Sequence, residues 1–160
     1  MKCLASLRPL FLLFLLAPLL TACDSNEPDD PIEIDPPRVV AESDYTVTAT
    51  GLKYFDFVVG SGPIAQNDNQ VLVHYNGWLQ DGTLFDSSYQ RGEPLTFILG
   101  VGEVIPGWDE GILDMRAGGQ RQLVIPPQLA YGSAGLGPIP PNATLIFEVE
   151  FLGITGTASP

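Results

Sequence analysis

The sequence predicts an α+β domain in which an antiparallel sheet of about five strands holds one short helix against its concave face. Three observations predict it. Several segments alternate with a period of two, one short segment has helical spacing, and 17 glycines with 15 prolines in 160 residues punctuate the chain with turns. Residues 52–59 read as the first long strand. Val71, Val73, Tyr75, Gly77 and Leu79 then alternate with Leu72, His74, Asn76 and Trp78, so one face of a second strand is core. Gln80-Asp81-Gly82-Thr83 has the aspartate and glycine of a tight connection. Residues 95–99 form a further strand. Trp108, Ile112 and Met115 fall at i, i+4 and i+7, with Asp109 and Glu110 in the first turn and Gly118-Gly119 as the stop, which predicts the helix. Leu123 and Ile125, then Leu145, Phe147, Val149 and Phe151, mark two last strands by the same alternation.

Composition excludes several classes of function. Seven Lys and Arg against 19 Asp and Glu give a formal charge of -12, the wrong sign for a protein that gains affinity by neutralising phosphates, so no nucleic acid partner is expected. One histidine, His74, and two cysteines, Cys3 and Cys23, are too few and too scattered for a zinc site, and the acids have no calcium-loop spacing. No phosphate-binding or dinucleotide glycine pattern occurs. No metal and no cofactor are expected. Ser87-Ser88 has only His74 as a base, and Gly132-Ser133-Ala134-Gly135 is not a nucleophile elbow, so acyl transfer is not supported.

The first 22 residues read as a signal peptide. Lys2 and Arg8 precede an apolar run at 10–20, whose eleven residues reach only about 16 Å as a helix, roughly half of a ~30 Å hydrocarbon core. Residues 20–23, Leu-Thr-Ala-Cys, resemble the bacterial lipobox, which implies cleavage before Cys23 and lipidation of its thiol. From 23 to 44 the chain carries eight acids, one base (Arg38) and four prolines, a composition that predicts an extended, mobile tether. The folded domain is expected at 45–155 and a short tail at 156–160. Anchored by lipid alone, such a domain belongs in the bacterial cell envelope, on the periplasmic or cell-surface face of a membrane.

Trp108, Tyr75, Phe147 and Phe97 are placed by these elements on surfaces that face one another. Periodicity alone makes them core. A set of motifs adds more: Val73-His74-Tyr75-Asn76-Gly77-Trp78-Leu79, Asp81-Gly82-Thr83-Leu84-Phe85-Asp86-Ser87-Ser88, Phe97-Ile98-Leu99-Gly100 and Glu103-Val104-Ile105-Pro106-Gly107-Trp108-Asp109-Glu110-Gly111. With Ile125-Pro126-Pro127, Leu129-Ala130-Tyr131-Gly132, Ile139-Pro140-Pro141-Asn142-Ala143-Thr144-Leu145 and Phe147-Glu148-Val149, they resemble the FKBP-type peptidyl-prolyl cis-trans isomerases over about 100 residues.

The resemblance implies a five- to six-stranded antiparallel half-barrel wrapped around one short helix. It implies a pocket with Trp108 as the floor under a proline ring, Asp86 and Tyr131 as polar groups of the wall, and the Ile105 backbone N–H as a donor to bound peptide. Tyr75, Phe85, Phe97, Val104, Ile139 and Phe147 complete the substrate-binding set. Two places depart from the family: Leu95 stands where many members have an aromatic residue, and the 132–140 loop is about one residue short and offers Leu136 in place of a histidine. The implied partners are proline-containing unfolded or exported polypeptides and macrolide immunosuppressants of the FKBP-ligand class, with a monomer as the default state. The alternative reading is a proline-recognising chaperone or binding module in which isomerisation is incidental.

Overall fold

Two long strands, β3 (Asn69–Leu79) and β7 (Leu145–Thr157), pair antiparallel along their whole length and form the spine of the sheet. A computed structural model describes residues 32–157. The remaining strands are β1 (Thr46–Val47), β2 (Lys53–Val58), β4 (Leu84–Ser87), β5 (Leu95–Ile98) and β6 (Gly119–Ile125). All pairings are antiparallel in the order β1-β2-β6-β7-β3-β4, and β5 shares the outer edge of β3 with β4. The sheet is thus open and seven-stranded, where five or six strands were expected.

Side-chain alternation sets the layers as predicted. Val71, Val73, Tyr75, Leu123, Ile125, Leu145, Phe147, Val149 and Phe151 are buried on one face. Against that face lies helix α2 (Pro106–Ile112), which opens on a proline whose missing N–H is no loss at a helix start. The helix is shorter than its apolar spacing suggested. Leu113 leaves the helical region and Asp114 adopts a φ of 69°, so Met115 reaches the core from the loop beyond. Gly107 gives α2 its close approach to β6, because a Cβ there would collide with the Ile125 side chain.

A second helix, α1 (Ser88–Arg91), went unread in the sequence because four residues carry no periodicity. Ser87 caps it by accepting the Gln90 N–H at 3.2 Å, and Gly92 ends it in the left-handed region at φ 74°.

The described part of the acidic segment lies along the sheet: residues 32–36 line a groove with Asn76, Trp78, Tyr89 and Glu148, and Arg38 adds direct bonds. Arg38 donates through its backbone N–H and Nε to the Glu148 carboxylate at 2.7 and 2.8 Å, and its guanidinium lies 3.4 Å from the centre of the Phe57 ring. Gln122 Nε2 donates to the Arg38 carbonyl at 2.8 Å, and residues 42–44 form a 3-10 turn. At the other end β7 runs to Thr157, two residues into the expected tail. The leader, the lipobox and Cys23 lie outside the described residues, and among the described residues no helix is long and apolar enough to cross a membrane.

Candidate active site

Each element delivers one or two side chains to the concave face. Strand β3 contributes Tyr75, β7 Phe147, β4 Phe85 and Asp86, the loop before α2 Val104 and Ile105, α2 itself Trp108, and the segment after the 3-10 turn at Pro127–Leu129 Tyr131. Together they line an open cavity of about 340 Å³, within the range of small-ligand sites. The rings are not packed shut.

Edge-to-face contacts hold them apart. Tyr75 and Phe147 meet the Trp108 indole at centroid distances of 4.8 and 5.2 Å with interplanar angles of 86°, and Phe85 meets Phe147 at 5.5 Å and 89°. Such pairs are each worth about 0.5–1.5 kcal/mol beyond their burial, enough to fix the indole as a floor. Gly77 makes the last pair possible: a Cβ there would stand 2.7 Å from Phe147 Cε1 and 2.9 Å from Phe85 Cζ. The Trp108 Nε1 is buried with no hydrogen-bond partner among the described residues, so the indole presents only carbon to the cavity.

The polar groups form a connected set at one wall. Tyr75 donates to Asp86 Oδ2 at 2.5 Å, Arg91 Nη1 pairs with Asp86 Oδ1, and Arg91 Nη2 donates to the Tyr75 oxygen at 2.8 Å. Burial, and then the bond to Asp86, push the Tyr75 phenol up to about 12. Burial and the nearby Asp86 charge also raise Tyr131. Both phenols therefore stay protonated donors at neutral pH. Asp86 itself is 40% exposed rather than sealed among aromatics, and its charge is matched by Arg91. The Ile105 N–H, at the start of α2, has no backbone acceptor among the described residues.

Two expected members are not at the cavity. Phe97 is 4% exposed and packs behind the indole at 5.8 Å, and Ile139 is 6% exposed in the core. Phe97 backs the floor through its contact with the indole, and Ile139 buries its side chain in the core. Two others were missed: Leu95, where the family pattern departs, and Glu103 both line the cavity. Glu103 lies in a loop with no periodicity to mark it. His74 faces away, stacked on Tyr89 at 4.4 Å and bonded through Nδ1 to Ser88 Oγ at 2.9 Å. That hydroxyl also accepts the Tyr75 N–H at 2.8 Å and is fully buried, so the pair is structural. Among the described residues no three His, Cys, Asp or Glu converge to hold a metal ion.

Comparison with known proteins agrees with this fold. The family model described as FKBP-type peptidyl-prolyl cis-trans isomerase matches residues 53–152. The FK506-binding protein of Neisseria meningitidis serogroup B is 53% identical over 105 residues, which cover 65% of this chain and 96% of that protein. The chloroplastic peptidyl-prolyl cis-trans isomerase FKBP13 of Arabidopsis thaliana is 48% identical over 122 residues, covering 69% of this chain but only 59% of that protein. The crystal structure of FkpA from Escherichia coli superposes with a TM-score of 0.69 at 47% identity, over 74% of this chain and 54% of that one. With a family model matching one continuous stretch and a relative more than half identical along nearly its whole length, the chain belongs to the family of FKBP-type peptidyl-prolyl cis-trans isomerases.

Proposed function

We propose that this chain catalyses cis-trans isomerisation of X-Pro bonds in exported polypeptides from a lipid anchor at Cys23 in a bacterial cell envelope, acting as a monomer. The observation that carries the catalytic part is the open cavity floored by the Trp108 indole, with aromatic side chains on one side and the Tyr75–Asp86 wall on the other.

The chemistry follows from the amide. Resonance opposes rotation about the C–N bond by about 18–20 kcal/mol and gives the planar form its charge separation. The twisted transition state has lost that resonance and is less polar. Moving the bond from water into the dry cup of Phe85, Phe147, Val104, Ile105 and Trp108 therefore disfavours the planar ground state more than the transition state. Uncatalysed exchange takes tens to hundreds of seconds, and each ~1.4 kcal/mol removed from the barrier is about tenfold in rate.

Tyr131 donates to the substrate carbonyl as it rotates, and the Ile105 N–H holds the peptide backbone beside it. Asp86 keeps Tyr75 and Arg91 in register at the wall and transfers no proton. The same cup suits macrolides of the class named in the Neisseria relative. Leu136 and Val101, 58% and 51% exposed on the two loops that lead to the cavity, favour a second role in holding unfolded clients.

A protease-coupled isomerisation assay with proline tetrapeptides, using the full chain in non-ionic detergent, tests the activity: rates equal to buffer remove it. For the anchor, Cys23→Ala is expected to abolish labelled palmitate incorporation and leader processing. Incorporation that persists in that variant places the modification elsewhere.

A further inference from the structure

We infer that Asn76, on the outer face of the sheet, is a positioning residue for the polar wall of the cavity and acts on it through Ser87 and Arg91. The inference deepens the isomerase reading of the cavity and rests on it.

Hydrogen bonds lead from one face of the sheet to the other. Asn76 follows Tyr75 on β3, so its side chain points to the opposite side, where it lines the groove with Trp78 and Tyr89. It pairs in register with Ser87 of β4, whose Oγ donates to Asn76 Oδ1 at 2.6 Å. The same Oγ accepts the Gln90 N–H at 3.2 Å and so caps α1. Next to Gln90 is Arg91, the last residue of α1. Its guanidinium pairs with Asp86 and donates to the Tyr75 oxygen at 2.8 Å. Tyr75 and Asp86 line the cavity, whereas Asn76, Ser87 and Arg91 do not.

The Asn76 bond matters because α1 is a single turn. Such a turn has no cooperative stability of its own, so its caps and contacts decide its shape. The Ser87 hydroxyl has one proton and two lone pairs. With the proton committed to Asn76, a lone pair is left for the Gln90 N–H. Ser87 is 2% exposed, so water is a poor substitute for the lost acceptor. Without Asn76 the hydroxyl turns toward another partner and the cap opens.

The rest of α1 confines the effect to its last two residues. Ser88 is fully buried and its Oγ accepts the Tyr75 N–H at 2.8 Å, while the Tyr89 phenol donates to Glu150 at 2.8 Å. Both hold the start of the turn on the sheet. The freedom released by an open cap therefore falls on Gln90 and Arg91. The Arg91 side chain is 42% exposed, so once loosened it goes to solvent and leaves Asp86 and Tyr75 without their common partner. A neutral hydrogen bond of this kind shifts the balance between capped and open turn by about fivefold, so kcat/KM is expected to fall about two- to fivefold in Asn76→Ala.

The test is a double-mutant cycle on the full chain, with isomerase kinetics on a proline tetrapeptide and a denaturant melt of each variant. Asn76→Ala is expected to lower kcat/KM in the wild-type background and to add no further loss in Arg91→Ala. Asn76→Asp, isosteric and with the acceptor oxygen retained, is expected to recover most of the loss. A folded Asn76→Ala with the wild-type rate overturns the inference and leaves the isomerase reading standing. So does the same loss in both backgrounds, which would route the effect past Arg91, and so does an Asn76→Asp as slow as Asn76→Ala. If Asn76→Ala fails to fold, Ser87→Ala takes its place in the cycle, and an equal loss in both backgrounds overturns the inference there as well. No turnover by the wild-type chain overturns the isomerase reading, and this inference with it.

Discussion

Tyr75 and Asp86 share a hydrogen bond of 2.5 Å across the β3–β4 pair, in which the phenol donates and the carboxylate accepts. The ring that stands edge-on to the indole is therefore fixed at its far end by a charge, and the charge by Arg91. Asp86→Val removes the common partner. It is expected to lower kcat/KM about tenfold while changing stability by no more than about 1 kcal/mol, because the ion pair is partly solvated. Tyr131→Phe removes a donor without altering the cup and is expected to lower kcat by about three- to tenfold. Isomerase kinetics with denaturant melts of both variants check this. Unchanged rates in both would mean the reacting bond lies elsewhere.

The same phenol makes stability sensitive to alkali. Tyr75 titrates at about 12 in the folded chain against about 10 in the unfolded one, and Tyr45, Tyr89 and Tyr131 are raised too. Burial is the first cause in each case, and for Tyr89 the bond to Glu150 at 2.8 Å comes next. Above pH 10 the unfolded chain releases protons that the folded chain retains, so folding weakens as pH rises from about 10 through 12. Below pH 10 this contribution is fully present. Urea midpoints measured at pH 8, 9.5 and 11 should be level over the first two and lower at the third. Tyr75→Phe should flatten part of that fall; a midpoint just as low at pH 11 in that variant would remove Tyr75 from the account.

Asp109 binds the floor to the wall. It sits one residue after Trp108, and its two oxygens take the backbone donors of Gly100 and Gly102, both at positive φ. Asp109→Ala leaves those donors to water and frees the loop that carries Val104 and Ile105. A loss of about 2 kcal/mol is expected. KM should rise more than kcat falls, since the loop holds the peptide rather than the rotating bond. Asp109→Asn, with one oxygen left, should lie between. Equal effects on KM and kcat would show that the loop acts on the transition state itself.

Much of this fold was legible because burial writes itself as alternation. Val71, Val73 and Tyr75, like Leu145, Phe147 and Val149, are inside for the same reason they recur at every second position. What alternation cannot encode was missed. Strand β4 and helix α1 are four residues each, too short for a period, yet they bring Phe85, Asp86 and Arg91 to the wall. Met115 matched a helical face and is buried, but the helix had already ended at Ile112. Phe97 and Ile139 share the apolar character of the pocket residues, and only three-dimensional placement shows that they lie one layer deeper. Glu103 reaches the cavity from an irregular loop, where neither composition nor spacing points inward.

Arg38 shows how a single base overrides segment composition. Acids and prolines around it disfavour order, but its guanidinium meets both Glu148 and the face of Phe57, and its carbonyl accepts a hydrogen bond from Gln122. An exposed ion pair contributes about 0.2–1 kcal/mol and an exposed cation–π contact about 0.5–1 kcal/mol, so the staple is worth about 1–2 kcal/mol. It adds to the other contacts that dock residues 38–45, among them Gln122 on the Arg38 carbonyl. Arg38→Ala should release them with little change in global stability. Hydrogen exchange would then accelerate at Tyr45 and the residues before it, and at Gln122 on the sheet, while the isomerase rate stays level. Both segments keeping wild-type exchange in the variant would show that other contacts, such as Lys53 with Glu42 and Tyr45 with Gln122, hold the segment without Arg38.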